Sequence, residues 1–358
     1  MAGETLARDT AYIRCMRIAQ IAPPWFPVPP TGYGGIELMV ALLSDGLVER
    51  GHQVTLFASG GSSSKATVSS PLDEPPDPAI LGDVWSDTFH ALSSYLAIRH
   101  GDFDVVHDHS GIIGPAMASI RPSGPPVVHT LHGPWTEAGR RMYGLIDSYV
   151  QLVAIAGTQR ADNPAVRYAR TIHNGIDTST YEYREKKDDY LVYIGRANPD
   201  KGPATAIEVA KRVGLPLKMI VKRNEPPERL YWAENVVPLL DHSIEVFENV
   251  PHADKVELLA GARAMVFPIQ WAEPFGLVMV EAMACGTPVV AGRWGAAVEV
   301  VSHGETGYLA DGIEELLDAI GKVDSIDPAA CRDRVERMFS KDTMVSAYEE
   351  LFRELVPG

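Results

Sequence analysis

Short apolar runs alternate with amphipathic stretches along almost the whole chain, and this alternation limits the fold more than any other feature. In the first half of the chain, runs typical of buried strands occur at 16–22, 53–58, 103–107, 126–131, 152–156 and 170–173. Between them apolar residues recur at helical spacing, as at Ile36, Val40, Leu43 and Leu47. Strands that alternate with helices predict a parallel sheet covered by helices on both faces.

The alternation pauses at 177–189, a polar stretch of mixed charge that is typical of an interdomain linker. It then resumes with strand-like runs at 191–194, 217–221, 244–247, 264–267 and 288–291 and with a helix at Pro203–Val213. Residues 329–356 have a helical pattern throughout, and the Ser- and Pro-rich patch at 59–78 indicates an exposed loop. A chain of 358 residues also exceeds the size at which one hydrophobic core usually stops growing.

These patterns predict an α/β protein with two doubly wound, Rossmann-like domains that face a central cleft. The expected boundaries are a flexible extension at 1–15, a first domain at 16–180, a second domain at 181–335, and a last helix at 336–358 that packs back on the first domain. Ligands of such sheets bind at the carboxyl ends of the strands, so the cleft is the expected active site.

Charge and composition exclude several classes of function. The net charge of −15 argues against a nucleic-acid partner, whereas a small phosphorylated ligand needs only a few cations focused in a cleft. Three cysteines without metal or redox spacing fit a reduced, cytoplasmic compartment. Residues 1–15 lack the apolar centre of a signal peptide, and no apolar run reaches the ~20 residues that span a bilayer. Peripheral membrane contact and the oligomeric state stay open.

The most informative motif is a pair of acids separated by seven residues, Glu273 and Glu281. The intervening Phe275-Gly276-Leu277 lies where a loop enters a helix, so its unpaired backbone N–H groups can bind a hydroxyl-rich or anionic ligand. A glycine at this point lets a sugar approach the backbone closely. A lone pair of acids is more often a pair of surface carboxylates, but the flanking Pro-Phe-Gly and Gly-Thr-Pro segments favour a binding site.

This segment closely resembles the E-x7-E motif of family 4 retaining glycosyltransferases, which have the GT-B fold, and the resemblance extends over nearly the whole chain from Met16. It implies that Glu273 contacts the transferred sugar, that the amides of Phe275, Gly276 and Leu277 hold the sugar hydroxyls, and that Glu281 binds the donor ribose.

Two glycine-containing loops add to this prediction. Arg196 and Lys201 lie on one loop after the first strand of the second domain, where a forked guanidinium and a mobile ammonium suit a diphosphate. They are similar to the family's pair that neutralises the leaving nucleoside diphosphate. Gly34 and Gly35 end the loop 29–35 before the first helix, which in the family lies beside the phosphates and the acceptor. That loop lacks the G-x-G-x-x-G pattern, so an NAD site is weakly supported.

Four histidines cluster at predicted strand ends: His107, His109, His129 and His132. A metal site is one interpretation, but hydrogen-bonded histidines that line a cleft are the more common arrangement, and we expect no bound metal. The segment 129–133 resembles the family's strand end, in which the last histidine contacts the donor sugar. This role falls to His132, with His109 as a candidate for the cleft wall.

Two further segments complete the comparison. Asn174 lies in a turn similar to the family's Pro-Asn-Gly turn before the linker, although His173 replaces the usual proline. Val250 lies where the family's backbone reads the nucleobase, although Glu248 departs from the usual Leu-Gly.

The sequence thus predicts a retaining, metal-independent glycosyltransferase without a cofactor. Its substrates are a nucleotide-sugar donor, with UDP preferred over GDP, and an acceptor that could be a lipid, polysaccharide, small metabolite or antibiotic. A nucleotide-sugar epimerase and a non-catalytic nucleotide-sugar-binding protein are the alternatives.

Overall fold

The computed structural model describes residues 15–32, 34–77, 82–121 and 123–356. The predicted extension at 1–15 therefore lies, apart from Cys15, outside the described residues, as does Tyr33 of the glycine-rich loop. Both predicted sheets are present, and every strand pair in them is parallel.

The first sheet has seven strands in the order β3-β2-β1-β4-β5-β6-β7. They are β1 (Arg17–Ile21), β2 (Gln53–Phe57), β3 (Thr67–Ser69), β4 (Val105–Asp108), β5 (Val127–Leu131), β6 (Gln151–Ala154) and β7 (Tyr168–Thr171). The helices that cross over between them are α1 (Gly35–Glu49), α2 (Val84–His100), α3 (Ile113–Ser119), α4 (Glu137–Ile146) and α5 (Gly157–Asp162). The strand order reverses between β1 and β4, and this reversal opens a crevice at their carboxyl ends.

The second sheet has six strands in the order β10-β9-β8-β11-β12-β13 and reverses between β8 and β11. They are β8 (Leu191–Arg196), β9 (Leu217–Lys222), β10 (Ile244–Glu248), β11 (Ala264–Phe267), β12 (Val289–Gly292) and β13 (Gly307–Ala310). Its helices are α6 (Pro203–Val213), α7 (Pro226–Tyr231), α8 (His252–Gly261), α9 (Leu277–Ala284), α10 (Ala297–Val300), α11 (Ile313–Ile320) and α12 (Pro328–Met338). The central strands of both sheets are buried on both faces, as a parallel sheet between two helical layers requires.

The tail is not one continuous helix, contrary to the sequence prediction. Helix α12 ends at Met338, and α13 (Lys341–Leu355) starts after Ser340, whose hydroxyl caps it by accepting from the Thr343 N–H at 3.2 Å. Helix α13 packs on α1, and Met344, Val345, Tyr348, Leu351 and Phe352 enter the apolar core of the first domain.

Two short strands differ from the sequence expectations. The patch 59–78, expected to be an exposed loop, contains the three-residue edge strand β3, which is too short and too polar to show an alternating pattern. The second, β13, was absent from the expectations. It begins at Gly307, where a Cβ atom would come within 1.9 Å of the Val289 carbonyl oxygen. Glycine is therefore required at the position that interrupts the strand pattern.

Candidate active site

The predicted site residues follow central strands of both sheets. Gly34 and Gly35 follow β1, His132 follows β5, Arg196 ends β8, and Glu273 lies in the loop after β11. Strands β1, β8 and β11 flank the reversal points and β5 lies beside β4, so their carboxyl ends bring the four segments towards the crevices of the two sheets.

Lys201 and Glu273 form the centre of the second-domain side. The Lys201 ammonium is ion-paired to Glu273 Oε2, and the Trp271 indole N–H donates to the same oxygen at 2.9 Å. The ammonium also lies 4.7 Å from the centre of the Trp271 ring and 5.6 Å from that of Phe267. Burial lowers the pKa of Lys201, and its attraction to Glu273 opposes this shift. Protein contacts alone therefore orient both charged groups.

Arg196 faces two carboxylates rather than Glu273. Its guanidinium lies 3.8 Å from Glu225 and 3.7 Å from the buried Glu228, both on or beside α7. The charge of Arg196 also contributes to the lowered pKa of Lys201, so the two cations act within one electrostatic field. This arrangement leaves a paired but half-exposed guanidinium at the edge of the loop.

The Phe275-Gly276-Leu277 segment provides the start of α9. Gly276 precedes the helix with a φ of +81°, and a Cβ there would lie 2.5 Å from Met279 Cε. Leu277 crosses to the first domain, because its Cδ1 lies 3.3 Å from the place of a Cβ on Gly35. The two glycine-bearing loops therefore meet across the cleft, and a side chain on Gly35 would crowd this contact.

Glu281 lies on α9 and is buried among polar partners. The Tyr181 hydroxyl donates to its Oε1 at 2.8 Å, and the Lys255 ammonium lies 2.7 Å from the same oxygen. Burial, together with the charge of Glu281, raises the pKa of the Tyr181 hydroxyl, which therefore stays protonated as a donor. Glu281 and Glu273 thus have different partners, Glu281 on the helix and Glu273 in the loop before it.

A chain of hydrogen bonds holds His132 on the first-domain side. Its Nε2 and His109 Nδ1 are 2.9 Å apart, and His109 Nε2 lies 3.1 Å from Gln20 Oε1. Burial keeps both imidazoles neutral and lowers the pKa of His132 to about 3. Since an amide oxygen only accepts, His109 donates to Gln20 and accepts from His132. This leaves Nδ1 as the basic nitrogen of His132.

The backbone around His132 is fixed by a glutamine that the sequence reading missed. The Gln159 side-chain amide donates to the carbonyl oxygens of Leu131 and Gly133, each at 2.9 Å. Gln159 belongs to α5, 26 positions or more along the chain, so no local pattern identifies it.

Asn174 and Val250 are the two remaining predicted residues. Asn174 is buried, and its Oδ1 has no hydrogen-bond partner within the described ranges. Val250 packs against the core of the second domain and lines a surface cavity of about 600 Å³ with Phe247 and Glu248. None of the residues that line this cavity is Lys201, Arg196 or Glu273.

Glu37 is a second residue that the sequence reading missed. It lies in the first turn of α1, directly after the glycine loop, and is buried. Burial raises its pKa to about 7, although the charge of Lys222 in the second domain opposes the shift. Its Oε1 has no hydrogen-bond partner among the residues that the structure describes. An acid two positions after Gly35 is the sequence signal for this group.

Glu299 of α10 joins the two domains. Its carboxylate accepts from the Gly157 N–H at 2.7 Å, from the Thr158 N–H, and from His173 Nε2 at 3.3 Å. Burial alone would raise the pKa of Glu299, but these hydrogen bonds outweigh it and hold the pKa at about 2. The carboxylate therefore caps the amino end of α5 from the opposite domain.

The histidines at the ends of β4 and β5 bond to neighbouring side chains. His107 Nε2 lies 2.8 Å from Thr130 Oγ1, and His129 Nε2 lies 2.9 Å from the Tyr143 hydroxyl. Within the described ranges, no group of three or more His, Cys, Asp or Glu side chains has an arrangement that could hold a metal ion. No helix among the described residues has the length and apolar character needed to cross a membrane.

Known proteins resemble this chain over most of its length. The family described as Glycosyltransferase Family 4 matches residues 33–180, and that described as Glycosyl transferases group 1 matches residues 179–328. A D-inositol 3-phosphate glycosyltransferase of Pseudarthrobacter chlorophenolicus is 27% identical over 347 residues, which cover 78% of this chain and 79% of that protein.

Solved structures extend the comparison to the fold. AviGT4, a glycosyltransferase involved in avilamycin A biosynthesis, has a TM-score of 0.72 and 26% identity, covering 96% of this chain and 98% of its own. Anabaena HepE in complex with UDP and glucose has a TM-score of 0.71 at 20% identity, covering 94% and 98% of the two chains.

Proposed function

Because this chain belongs to the family 4, group 1 glycosyltransferases and has the GT-B fold, we propose that it transfers a hexose from a UDP-sugar to an acceptor hydroxyl with retention of configuration. The observation that carries this proposal is the Lys201–Glu273 pair beside the start of α9, which faces the Gly35 loop across the cleft. The UDP and glucose bound by HepE support the choice of donor.

In the proposed reaction the bond between the anomeric carbon and the diphosphate oxygen breaks, and a glycosidic bond to the acceptor oxygen forms on the same face. Lys201 and Arg196 stabilise the negative charge that develops on the leaving diphosphate. Glu273, the amides at the start of α9 and His132 orient the sugar. The departing phosphate accepts the proton of the acceptor hydroxyl. The acceptor oxygen attacks the anomeric carbon directly, and no protein side chain acts as a covalent nucleophile.

Nucleotide release tests this proposal. We expect the protein to release UDP from one or more UDP-hexoses, slowly to water and faster when a suitable acceptor hydroxyl is present. The anomeric configuration of the product can be assigned by NMR. Formation of an epimer of the donor sugar would indicate the epimerase instead, and binding without nucleotide release across UDP- and GDP-sugars would indicate a non-catalytic protein.

We also propose that turnover needs no divalent cation, since Arg196 and Lys201 supply positive charge at the diphosphate. The single Asp-x-Asp pair of the chain, Asp102 and Asp104, precedes β4 at its amino end and pairs with Arg17, away from the cleft. The rate in excess EDTA should equal the rate without it. Activity that is lost in EDTA and restored by Mg²⁺ or Mn²⁺ would contradict this prediction.

A further inference from the structure

Glu37 is a buried acid to which the proposed reaction gives no role. It lies in the first turn of α1, directly after the glycine loop, and is 2% exposed. Its Oε2 is 3.0 Å from the place of a Cβ on Gly34, so the carboxyl group folds back against that loop. Its Oε1 is buried without a hydrogen-bond partner among the described residues. A buried oxygen without a partner costs free energy, so a ligand that supplies a partner at Oε1 gains affinity.

The carboxyl group of Glu37 lies where the start of α1 attracts an anion. The first N–H groups of a helix have no partner within the helix, and the helix dipole favours negative charge beside them. Gly34, the residue that precedes α1, has no side chain to accept from these N–H groups. The backbone N–H of Glu37 instead donates to the residue's own carboxyl group. Glu37 therefore occupies part of an anion site at the helix start.

Lys222, at the end of β9, connects Glu37 with the cations of the second domain. Burial lowers the pKa of Lys222, and the charges of Arg196 and Glu37 act on it in opposite directions. The three residues therefore lie within one electrostatic field. Pro30 and Leu277, which also adjoin the glycine loop, carry no charge. A diphosphate held between Arg196 and the start of α1 would lie beside the Glu37 carboxyl group.

We propose that Glu37 binds the donor as a neutral carboxyl group: it donates a hydrogen bond from Oε1 to a phosphate oxygen, and UDP binding takes up a proton from solvent at this residue. Such binding rests on the proposed function, because it requires a nucleoside diphosphate beside Arg196 and the glycine loop. Two anions at one helix start repel each other. Protonation of Glu37 removes this repulsion and turns its buried oxygen from an acceptor into a donor. The O–H bond of the carboxyl group forms in this step, and no other covalent bond changes.

The proton affinity of Glu37 suits this role at neutral pH. Burial raises its pKa to about 7, although its own N–H and the charge of Lys222 oppose the shift. A carboxyl group with a pKa of about 7 is about three-quarters ionised at pH 7.5. The negative charge of the diphosphate raises this pKa further and favours the protonated form. UDP binding should then take up about three quarters of a proton at pH 7.5 and become weaker as the pH rises.

Other charged residues packed against α1 lie at its far end. Lys341 of α13 pairs with Glu49 at 3.2 Å, and Glu349 of the same helix pairs with Arg50 at 2.8 Å. Glu49 follows Glu37 by 12 positions, which is about 18 Å along the helix. This distance exceeds the Debye length of about 8 Å at physiological salt, so these charges have little effect on Glu37.

Calorimetry in two buffers of different protonation enthalpy measures the proton uptake. The wild type should take up about three quarters of a proton more than Glu37→Gln when each binds UDP at pH 7.5. Between pH 7.5 and 8.5 the Kd for UDP should rise up to about eightfold more in the wild type, because the amide of the variant donates at every pH. Ionisation of UDP itself affects both proteins equally and cancels in the comparison. Glu49→Gln, which changes an exposed acid at the other end of α1, should behave like the wild type.

Infrared difference spectra test the same step in the wild type directly. The spectrum with UDP minus the spectrum without it should show the carbonyl stretch of a newly protonated carboxyl group. The same band should be present in Glu49→Gln and absent in Glu37→Gln.

Three outcomes would contradict this role of Glu37. Equal proton uptake and equal pH dependence in the wild type and Glu37→Gln would overturn it and leave the proposed function intact. A folded Glu37→Gln variant that no longer binds UDP would also overturn it, because the ionised carboxylate would then be the form required. A wild type that binds neither UDP nor GDP would contradict the proposed function, and the role of Glu37 with it.

Discussion

Lys201 is the most strongly constrained cation of the candidate site. The carboxylate of Glu273 and the rings of Trp271 and Phe267 surround its ammonium. These contacts hold the ammonium in one position. Groups oriented in this way need little rearrangement as charge develops on a leaving group. The cost is desolvation, which the lowered pKa of Lys201 records.

The two acids should affect different parts of the donor. Glu273→Gln should lower turnover strongly and leave the affinity for free UDP nearly unchanged, because Glu273 is assigned to the sugar. Glu281→Gln should weaken the binding of UDP by about 1–3 kcal/mol, because a charge-assisted hydrogen bond to the ribose is lost. Calorimetry with UDP and a turnover assay on both variants measure the two effects.

Glu208→Gln is the control for both variants, since Glu208 is an exposed acid on α6. If Glu273→Gln lost its affinity for UDP while Glu281→Gln retained it, the two assignments would be reversed. Normal turnover in both variants would place the site elsewhere.

The sequence identified the charged residues of the candidate site but not their partners. Glu273 and Lys201 stand in recognisable motifs, and the structure brings them into contact. Tyr181 and Glu281 are separated by 100 positions, so their hydrogen bond depends on how the linker packs and has no local signature. Trp271 lies only two positions from Glu273, but its role depends on the conformation of the loop.

Strands β4 and β5 are the elements that concentrate titratable groups beside the cleft. Burial lowers the pKa of His129 to about 3 and of His132 to about 3, and the neighbouring Asp108 has a pKa raised by burial to about 6. In the unfolded chain a histidine binds a proton below about pH 6.5, whereas the folded protein keeps these imidazoles neutral. Their contribution to stability is therefore fully present above about pH 6.5 and declines as the pH falls towards 3.

We expect His132→Asn to flatten the pH dependence of folding stability. Removing one such histidine should reduce the slope of the unfolding free energy between pH 6.5 and 5 by up to about 1.4 kcal/mol per pH unit. Urea unfolding at several pH values measures this slope. The exposed His242 offers a control, and equal slopes in His242→Asn and His132→Asn would contradict the prediction.

Element boundaries were predictable where the pattern is long and apolar. The helix expected at Pro203–Val213 is α6 with the same ends, since Gly202 and Gly214 flank it in the left-handed conformation. The break between α12 and α13 was missed because Phe339 and Ser340 continue the helical pattern of polar and apolar residues. The break depends on the Ser340 cap and on the packing of α13 against α1.

Several contacts connect the two domains away from the glycine loops. Ile176, just before the linker, forms backbone hydrogen bonds with Phe339 and Lys341 at 2.9 and 2.8 Å, so the two chain crossings lie side by side. The Glu299 contact with α5 is a further connection. The linker itself is anchored from Tyr181 onward, because Lys187 donates to Ala260, Cys285 and Thr287 of the second domain.

Glu299 should therefore control how far the cleft opens. Glu299→Gln removes the charge that accepts three hydrogen bonds from the first domain, and we expect a larger radius of gyration in small-angle scattering. Saturating UDP should reduce the radius of gyration again, because a diphosphate would bridge Lys201 and the glycine loop. Glu208→Gln should scatter like the wild type, and a Glu299→Gln profile identical to that of the wild type would refute the role.

The two-domain architecture followed from the sequence because the linker interrupts a regular alternation of strands and helices. The contacts between domains did not, since Glu299 and Gly157 are 142 positions apart and both lie in short elements without a distinctive pattern. Such contacts depend on the relative placement of two folded units rather than on local preference.

The return of α13 to the first domain sets the order in which the two domains can complete their folding during translation. Tyr348 and Phe352 fill the core beside α1, yet they follow the entire second domain in the chain. A ribosome that has finished residues 16–180 has made a first domain with one apolar wall missing. This domain must wait, with that surface uncovered, until the second domain has been synthesised. The first domain is therefore completed only after the second, and its apolar core stays partly uncovered in that interval.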